Sequence, residues 1–416
     1  MGCKVLGLVM AGGKGERLFP LTRDRAKPAV PFGGKYRIVD FVLSNFVNSG
    51  IRSLYVLTQF KSQSLTDHIR QTWQFGSVLR DQFVTSVPAQ MKRGDSWFKG
   101  TADAVRQNMD LVLNSDADLV AVFGADHVYR MDISRMVDYH LEKKADITVA
   151  TVPVPKNMSR SFGIVKVDKD WRVTGFQEKP SRPATIPGNP GKVLASMGNY
   201  LFTLSALEEI MEGGTRRNEW HDFGKDILPK VHRRRRLYAY DFNRNRIPGM
   251  LEGEENSYWR DVGTIEAYYE ANMELRSVSP PLNLYNDLWP IITSDRPSPP
   301  VKFLFDDESR RGYAVDSIVS GGTILSGGMA RGSILGGNVR LNSFSTVIDS
   351  ILMEGVEIGR NCRVRRAIID KNVSLPPGTS VGYDPAEDRK RFFVSPEGIV
   401  VIPRSPRLLA LGEMRR

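Results

Sequence analysis

Val5-Leu6-Gly7-Leu8-Val9-Met10 runs directly into Ala11-Gly12-Gly13-Lys14-Gly15-Glu16-Arg17-Leu18, and Arg25-Ala26-Lys27-Pro28-Ala29 follows shortly after. The apolar run reads as a buried strand, and it delivers a glycine loop to one edge of a sheet. Gly12, Gly13 and Gly15 carry no Cβ, so their backbone N–H groups can approach phosphate oxygens closely. Arg17 and Lys27 add two cations where a polyphosphate leaving group needs them. The loop is not a P-loop, because Glu16 follows Gly15 and no Lys-Ser/Thr follows a second glycine. It is not a dinucleotide fingerprint either, because Leu18 stands where the third glycine is required. The chemistry indicated is a nucleotide held while pyrophosphate departs.

Strands and helices alternate outward from this loop. Ile38, Phe41, Val42 and Phe46 recur at helical spacing, and Gly50 closes that helix. Leu54–Thr58 reads as the next strand, and Val105, Met109, Val112 and Leu113 as one helical face. Leu119–Phe123 is a continuous apolar run, as in the middle of a parallel sheet. Ile133, Met136, Val137, His140 and Leu141 mark an amphipathic helix, and Ile147–Val152 a further strand. This alternation predicts an α/β domain with helices on both faces of the sheet, whose ligands bind beyond the carboxyl ends of the strands.

From about Ser277 to Gly312 six prolines interrupt any regular element: Pro280, Pro281, Pro290, Pro297, Pro299 and Pro300. Beyond it the chain repeats. Ile334, Ile351 and Ile368 are 17 apart, and the same step relates Val339, Val356 and Val373. It also relates Leu341, Ile358 and Leu375, and Val347, Val364 and Val381. Ser317-Ile318-Val319 heads an earlier copy with a step of 16. Apolar columns in short strands between Gly, Asn and Ser turns predict a parallel β-helix of three-sided coils. A sandwich of short antiparallel strands does not require a constant period. The expected division is 1–276, 277–312 as connector, and 313–416.

The bulk properties agree with a chain of two or three domains. There are 416 residues, 41% hydrophobic and 25% charged. The net charge of +11 suits nucleic acid or anionic small ligands equally. No nucleic-acid module is recognisable, and the densest basic run, Arg233–Arg236, reads as a solvated turn. Cys3 and Cys362 offer neither a disulfide framework nor metal-ligand spacing. No apolar run has the length of a membrane span, and the short N-terminal apolar stretch is no signal peptide. The expectation is a cytoplasmic protein without membrane or nucleic-acid partners.

Several residues carry candidate chemistry. Asp126 follows the Leu119–Phe123 strand, where a carboxylate can ligate Mg²⁺ shared with nucleotide phosphates. Asp261, in Trp259-Arg260-Asp261-Val262-Gly263-Thr264, is the candidate second ligand, although each aspartate alone also fits a cap or turn. Glu178 and Lys179 set an acid and a base side by side for sugar hydroxyls and a sugar phosphate, or form a surface turn before Pro180. Gln90 and Gly100-Thr101-Ala102-Asp103-Ala104 offer an amide and small groups where a flat base can be read. In-line attack by an ionised phosphate needs no general base, so none is assigned to His127.

These segments together resemble the glucose-1-phosphate adenylyltransferases of bacterial glycogen and plant starch synthesis, nearly end to end. Ala195-Ser196-Met197-Gly198 is among the matching segments, and Arg25-Ala26-Lys27-Pro28-Ala29, Gly100-Thr101-Ala102-Asp103-Ala104 and Trp259–Thr264 carry the resemblance most specifically. It implies a Rossmann-like nucleotidyltransferase domain with a mostly parallel sheet, then a left-handed parallel β-helix, assembled as a homotetramer. The implied reaction joins ATP and glucose 1-phosphate to give ADP-glucose and pyrophosphate. The glycine loop and Arg17 would hold the triphosphate, and Lys27 would help pyrophosphate leave. Gln90, Gly100, Thr101 and Ala102 would read adenine, and Asp126 and Asp261 would bind Mg²⁺. Phe98, Gly163, Glu178, Lys179, Ser196 and Asp222 would seat glucose 1-phosphate. Arg25, Lys35, Arg365 and Arg366 are candidate contacts for anionic effectors. The chain departs from the family pattern at Asp24, Phe98 and Ala125. The alternatives are a uridylyl- or thymidylyltransferase of the same fold, or a non-catalytic regulatory subunit.

Overall fold

The computed structural model describes residues 2–75, 81–92, 97–213, 220–252, 254–294, 297–307 and 310–404. Strand Val5–Ala11 lies inside a nine-stranded sheet, between Leu119–Gly124 and Ser53–Thr58, and pairs parallel with both. Phe83–Pro88 extends this parallel block at one edge. On the other side the long strand Lys192–Thr203 runs antiparallel to Leu119–Gly124 and leads to Gly163–Val167 and Val173–Glu178.

Residues of Val5–Ala11 alternate between two cores. Val9 and Ala11 face one with Val42, Ile69 and Met136; Leu6 and Leu8 face the other with Val105, Leu207, Ile227 and Leu228. A sheet covered on both faces requires such unbroken apolar strands, so the expected helices on both faces are present. One helical expectation changes. The face Val105–Leu113 is split into helices Thr101–Gln107 and Met109–Leu113, and Leu113 is exposed. Asn108 makes the break, with its side chain donating back to the Ala104 carbonyl at 2.9 Å.

The second domain stacks three parallel sheets into a β-helix. Ile334, Ile351 and Ile368 pair in one column, Leu341, Ile358 and Leu375 in the second, and Val347, Val364 and Val381 in the third. All nine are buried, so the 17-residue step is one turn of coil. The step of 16 is equally real, since Ile318 pairs with Ile334. Stacking begins inside the proline-rich stretch: Lys302–Leu304 pairs parallel with Ile324–Ser326.

The two domains share a core. Leu18, Val30, Phe32, Tyr268 and Leu275 pack with Ile351, Met353, Ile368 and Val401 of the β-helix. Tyr269 donates its hydroxyl to the Asp349 carbonyl at 2.6 Å. The glycine-loop region is therefore braced by the second domain. Among the described residues no helix is long and apolar enough to cross a membrane.

Candidate active site

The loop after Val5–Ala11 turns at Gly15, whose φ of 63° is left-handed and comes readily only to glycine. Its carbonyl accepts from the Thr22 hydroxyl at 2.9 Å. A Cβ at Gly15 would stand 3.0 Å from the Lys27 Cβ, whereas one at Gly13 would meet nothing within 4 Å. The loop is thus tight against Lys27 and open at Gly13, as a phosphate cradle requires. Arg17 lies on the next turn, with its side chain 72% exposed.

Asp126 and Asp261 converge through a small ribbon. Trp259–Arg260 pairs antiparallel with Val128–Tyr129, which sets the residue after Arg260 beside the turn before Val128. The Ala125 N–H donates to the Met10 carbonyl at 3.1 Å, so that turn also abuts the end of the first strand. Lys27 sits between the two carboxylates, 3.0 Å from Asp126 Oδ2 and 2.9 Å from Asp261 Oδ1. Arg17 approaches Asp261 to 3.8 Å. Burial opposes the charged form of Lys27, but Asp126 and Asp261 outweigh it and raise its pKa. Burial likewise disfavours ionised Asp126, yet His127 and Lys27 hold its carboxyl well below the usual range.

The donor set fits a divalent cation. One ligand atom each from Asp126, His127 and Asp261 lie within 4.8 Å of one another. Two ionised carboxylates supply the hard oxygens such an ion takes. The Ala125 methyl is buried in the sheet core.

Gly100, Thr101, Ala102, Gly163, Glu178, Lys179, Ser196 and Asp222 fall into a second, adjoining group. Gly163 lies opposite Glu178 in the sheet, and a Cβ on it would meet Phe176 at 2.5 Å and Glu178 Oε2 at 3.3 Å. Lys179 has a φ of 46°, a strained value for a non-glycine residue, and its N–H donates to the Phe162 carbonyl at 3.1 Å. Gly100 touches backbone: a Cβ there would lie 2.2 Å from the His221 carbonyl oxygen. The same carbonyl accepts from the Ala102 N–H at 2.9 Å. The Thr101 hydroxyl donates to Asp222 Oδ2 at 3.3 Å, tying the predicted base-reading segment to the predicted sugar segment. Phe98 packs toward Leu57, Val87 and Ala104, and Gln90 is exposed beyond the edge strand Phe83–Pro88.

An aromatic wall links the groups. Trp259 packs edge-on to His127 at 5.1 Å and against Phe162 at 5.3 Å. Tyr200 is a residue that sequence reasoning missed. Its hydroxyl bonds Ser196 and faces Asp222 and Glu178, and burial, with those two charges, raises its pKa. A phenol in the apolar run Tyr200-Leu201-Phe202 was the available signal.

Four predicted residues lie elsewhere. Arg25 is buried and forms a bidentate pair with Asp370 of the β-helix. Lys35 is exposed over the Tyr36 ring. Arg365 is exposed on the β-helix, and Arg366 lies 4.0 Å from Glu397 and over the Tyr269 ring.

Comparison with known proteins identifies the family. The nucleotidyl transferase family matches residues 6–278, and the GlmU-like C-terminal hexapeptide family matches 299–402. The chain is 53% identical to a glucose-1-phosphate adenylyltransferase of Anaeromyxobacter sp. (strain Fw109-5), over 97% of this chain and 99% of the relative. The chain belongs to the glucose-1-phosphate adenylyltransferase family. Another family member, from Thermus thermophilus, is 54% identical over 97% of this chain and 99% of its own length. One from Deinococcus radiodurans is 50% identical over 96% and 98%. The hexapeptide match identifies the stacked coils as the left-handed β-helix, and nucleotidyltransferases of this kind use a divalent metal.

Proposed function

We propose that this chain transfers the adenylyl group of ATP to α-D-glucose 1-phosphate, releasing pyrophosphate and forming ADP-glucose. The observation that carries the reading is Lys27 held between Asp126 and Asp261 beside the glycine loop. A phosphate oxygen of glucose 1-phosphate attacks the α-phosphorus in line. The new P–O bond forms as the bond to the β-phosphate oxygen breaks, and no proton need move. Asp126 and Asp261 hold Mg²⁺, which when bound neutralises charge around the α-phosphate. Gly12, Gly13, Gly15 and Arg17 bind the triphosphate, and Lys27 faces the charge that grows on departing pyrophosphate. Gln90, Gly100, Thr101 and Ala102 form the adenine side. Lys179 receives the sugar phosphate, while Gly163, Glu178, Ser196 and Asp222 line the glucose side with Phe98 nearby.

Anionic metabolites binding at Lys35, Arg365 and Arg366 regulate the enzyme in this reading, whereas Arg25 is engaged by Asp370. The β-helix supports homotetramer assembly, and the protein works in the cytoplasm. A non-catalytic subunit is disfavoured because Arg17, Lys27, Asp126 and Asp261 are all present. The test is pyrophosphate release from the purified chain with glucose 1-phosphate, Mg²⁺ and each nucleoside triphosphate in turn. ATP is expected to be strongly preferred; equal rates with UTP or dTTP would overturn the adenylyl assignment.

A further inference from the structure

Arg25 lies two residues before Lys27, and its surroundings are unusual for a residue so close to reacting groups. Its guanidinium donates to Asp370 Oδ1 at 2.9 Å and to Oδ2 at 2.8 Å, and the two side chains are only 7% and 4% exposed. Two parallel bonds fix orientation as well as distance. Asp370 is itself held. It follows strand Ala367–Ile369, its N–H donates to the Ile402 carbonyl at 2.9 Å, and its Oδ1 also accepts from the Lys371 N–H at 2.7 Å.

The segment between the pair and the active site has little freedom. Ala26 is fully buried, and its N–H donates to the Lys61 carbonyl at 3.1 Å. Lys27–Ala29 then forms a 3-10 turn closed by the Ala29 N–H on the Ala26 carbonyl at 3.0 Å. Tyr268, on the helix that follows Asp261, donates to the Pro31 carbonyl just beyond that turn, at 2.5 Å. A displacement of Arg25 is therefore passed to Lys27.

We infer that Asp370 is a positioning residue for adenylyl transfer: from the β-helix, its grip on Arg25 fixes the turn from which Lys27 reaches Asp126 and Asp261. The pair crosses from one domain to the other, so the second domain contributes directly to the geometry of the leaving-group cation. This inference rests on the leaving-group role proposed for Lys27.

The experiment compares steady-state kinetics and thermal unfolding for wild type, Asp370→Asn, Arg25→Lys, Glu354→Gln and Lys27→Met. Asp370→Asn keeps the side-chain shape but removes the charge. Arg25→Lys keeps the charge but cannot make two parallel bonds. A misplacement of about 1 Å costs on the order of 10²-fold in rate, so both variants are expected to lose about 10- to 100-fold in kcat with KM for both substrates little changed. Glu354→Gln weakens a pair within the β-helix next to Asp370, Glu354 with Lys371 at 2.9 Å, and is expected to lower the unfolding midpoint while sparing kcat.

Wild-type kcat in folded Asp370→Asn overturns the inference. So does an equal kcat loss in Glu354→Gln, which would mark a general loosening of the β-helix around Asp370. Should Asp370→Asn not fold, folded Arg25→Lys decides by the same criterion. Full activity in Lys27→Met would instead refute the leaving-group role itself, and this inference with it.

Discussion

Replacing Lys27 by methionine keeps the apolar stem and removes the ammonium. In the structure that ammonium donates to Asp126 at 3.0 Å and to Asp261 at 2.9 Å. A hydrogen bond to a charged group nets about 1.5–3 kcal/mol. The two carboxylates are 42% and 30% exposed, so solvent screening favours the low end, about 3 kcal/mol for the pair of contacts. Losing this charge acts in two opposite directions. Without nucleotide, the ammonium competes with a divalent cation for the same two carboxylates. Lys27→Met is therefore expected to bind the metal more tightly, by up to about 100-fold for 3 kcal/mol. In turnover, removing one preorganised donor from developing charge costs about 10²- to 10³-fold in kcat. The assays are calorimetric Mg²⁺ titration of the nucleotide-free protein and steady-state pyrophosphate release. Weaker metal binding, or a kcat within a few-fold of wild type, would refute the reasoning.

Gly100→Ala should fold but lose about 10- to 100-fold in kcat/KM. Its backbone is extended, so the cost comes only from a Cβ placed 2.2 Å from the His221 carbonyl oxygen, where the segments proposed to read the base and seat the sugar meet; kinetics with each substrate varied will show it. Arg365→Ala and Arg366→Ala are expected to blunt activation or inhibition by anionic metabolites in a rate assay, and unchanged responses in both would remove these arginines from the effector site. His140 is buried between Thr148 at 2.8 Å and Thr203 at 3.2 Å, and burial pushes its pKa down to about 4. With an unfolded value near 6.5, the unfolded chain binds the extra proton between those pH values. Stability should therefore fall as pH drops from about 6.5 to 4, by about 3 kcal/mol from this group, and His140→Gln should flatten that part of the unfolding profile.

The β-helix is legible in the sequence because its signal is periodic: Ile334, Ile351 and Ile368 occupy one column in sequence and in space. Its first coil is not. The antiparallel excursion Asp306–Asp307 with Arg310–Arg311 takes Lys302–Leu304 out of the 17-residue step, and prolines around it read as linker. Residue types identify Asp126 and Asp261, but their meeting depends on Trp259–Arg260 pairing with Val128–Tyr129, a long-range contact without local signature. Arg25 illustrates the reverse case. A basic residue near the phosphate loop suggests an anionic ligand, yet the anion beside it is Asp370, which in sequence is an ordinary turn residue. Tyr200 escapes notice because a phenol within an apolar strand looks like core, and only the fold turns its hydroxyl toward Ser196.

The most direct test of the central claim is single-turnover pyrophosphate formation by Asp261→Asn, with ATP, glucose 1-phosphate and saturating Mg²⁺. A carboxylate that helps hold the catalytic cation predicts a rate at least about 10²-fold below wild type in a protein that remains folded and still binds both substrates. A rate within a few-fold of wild type would contradict the placement of the reaction between Asp126, Asp261 and Lys27.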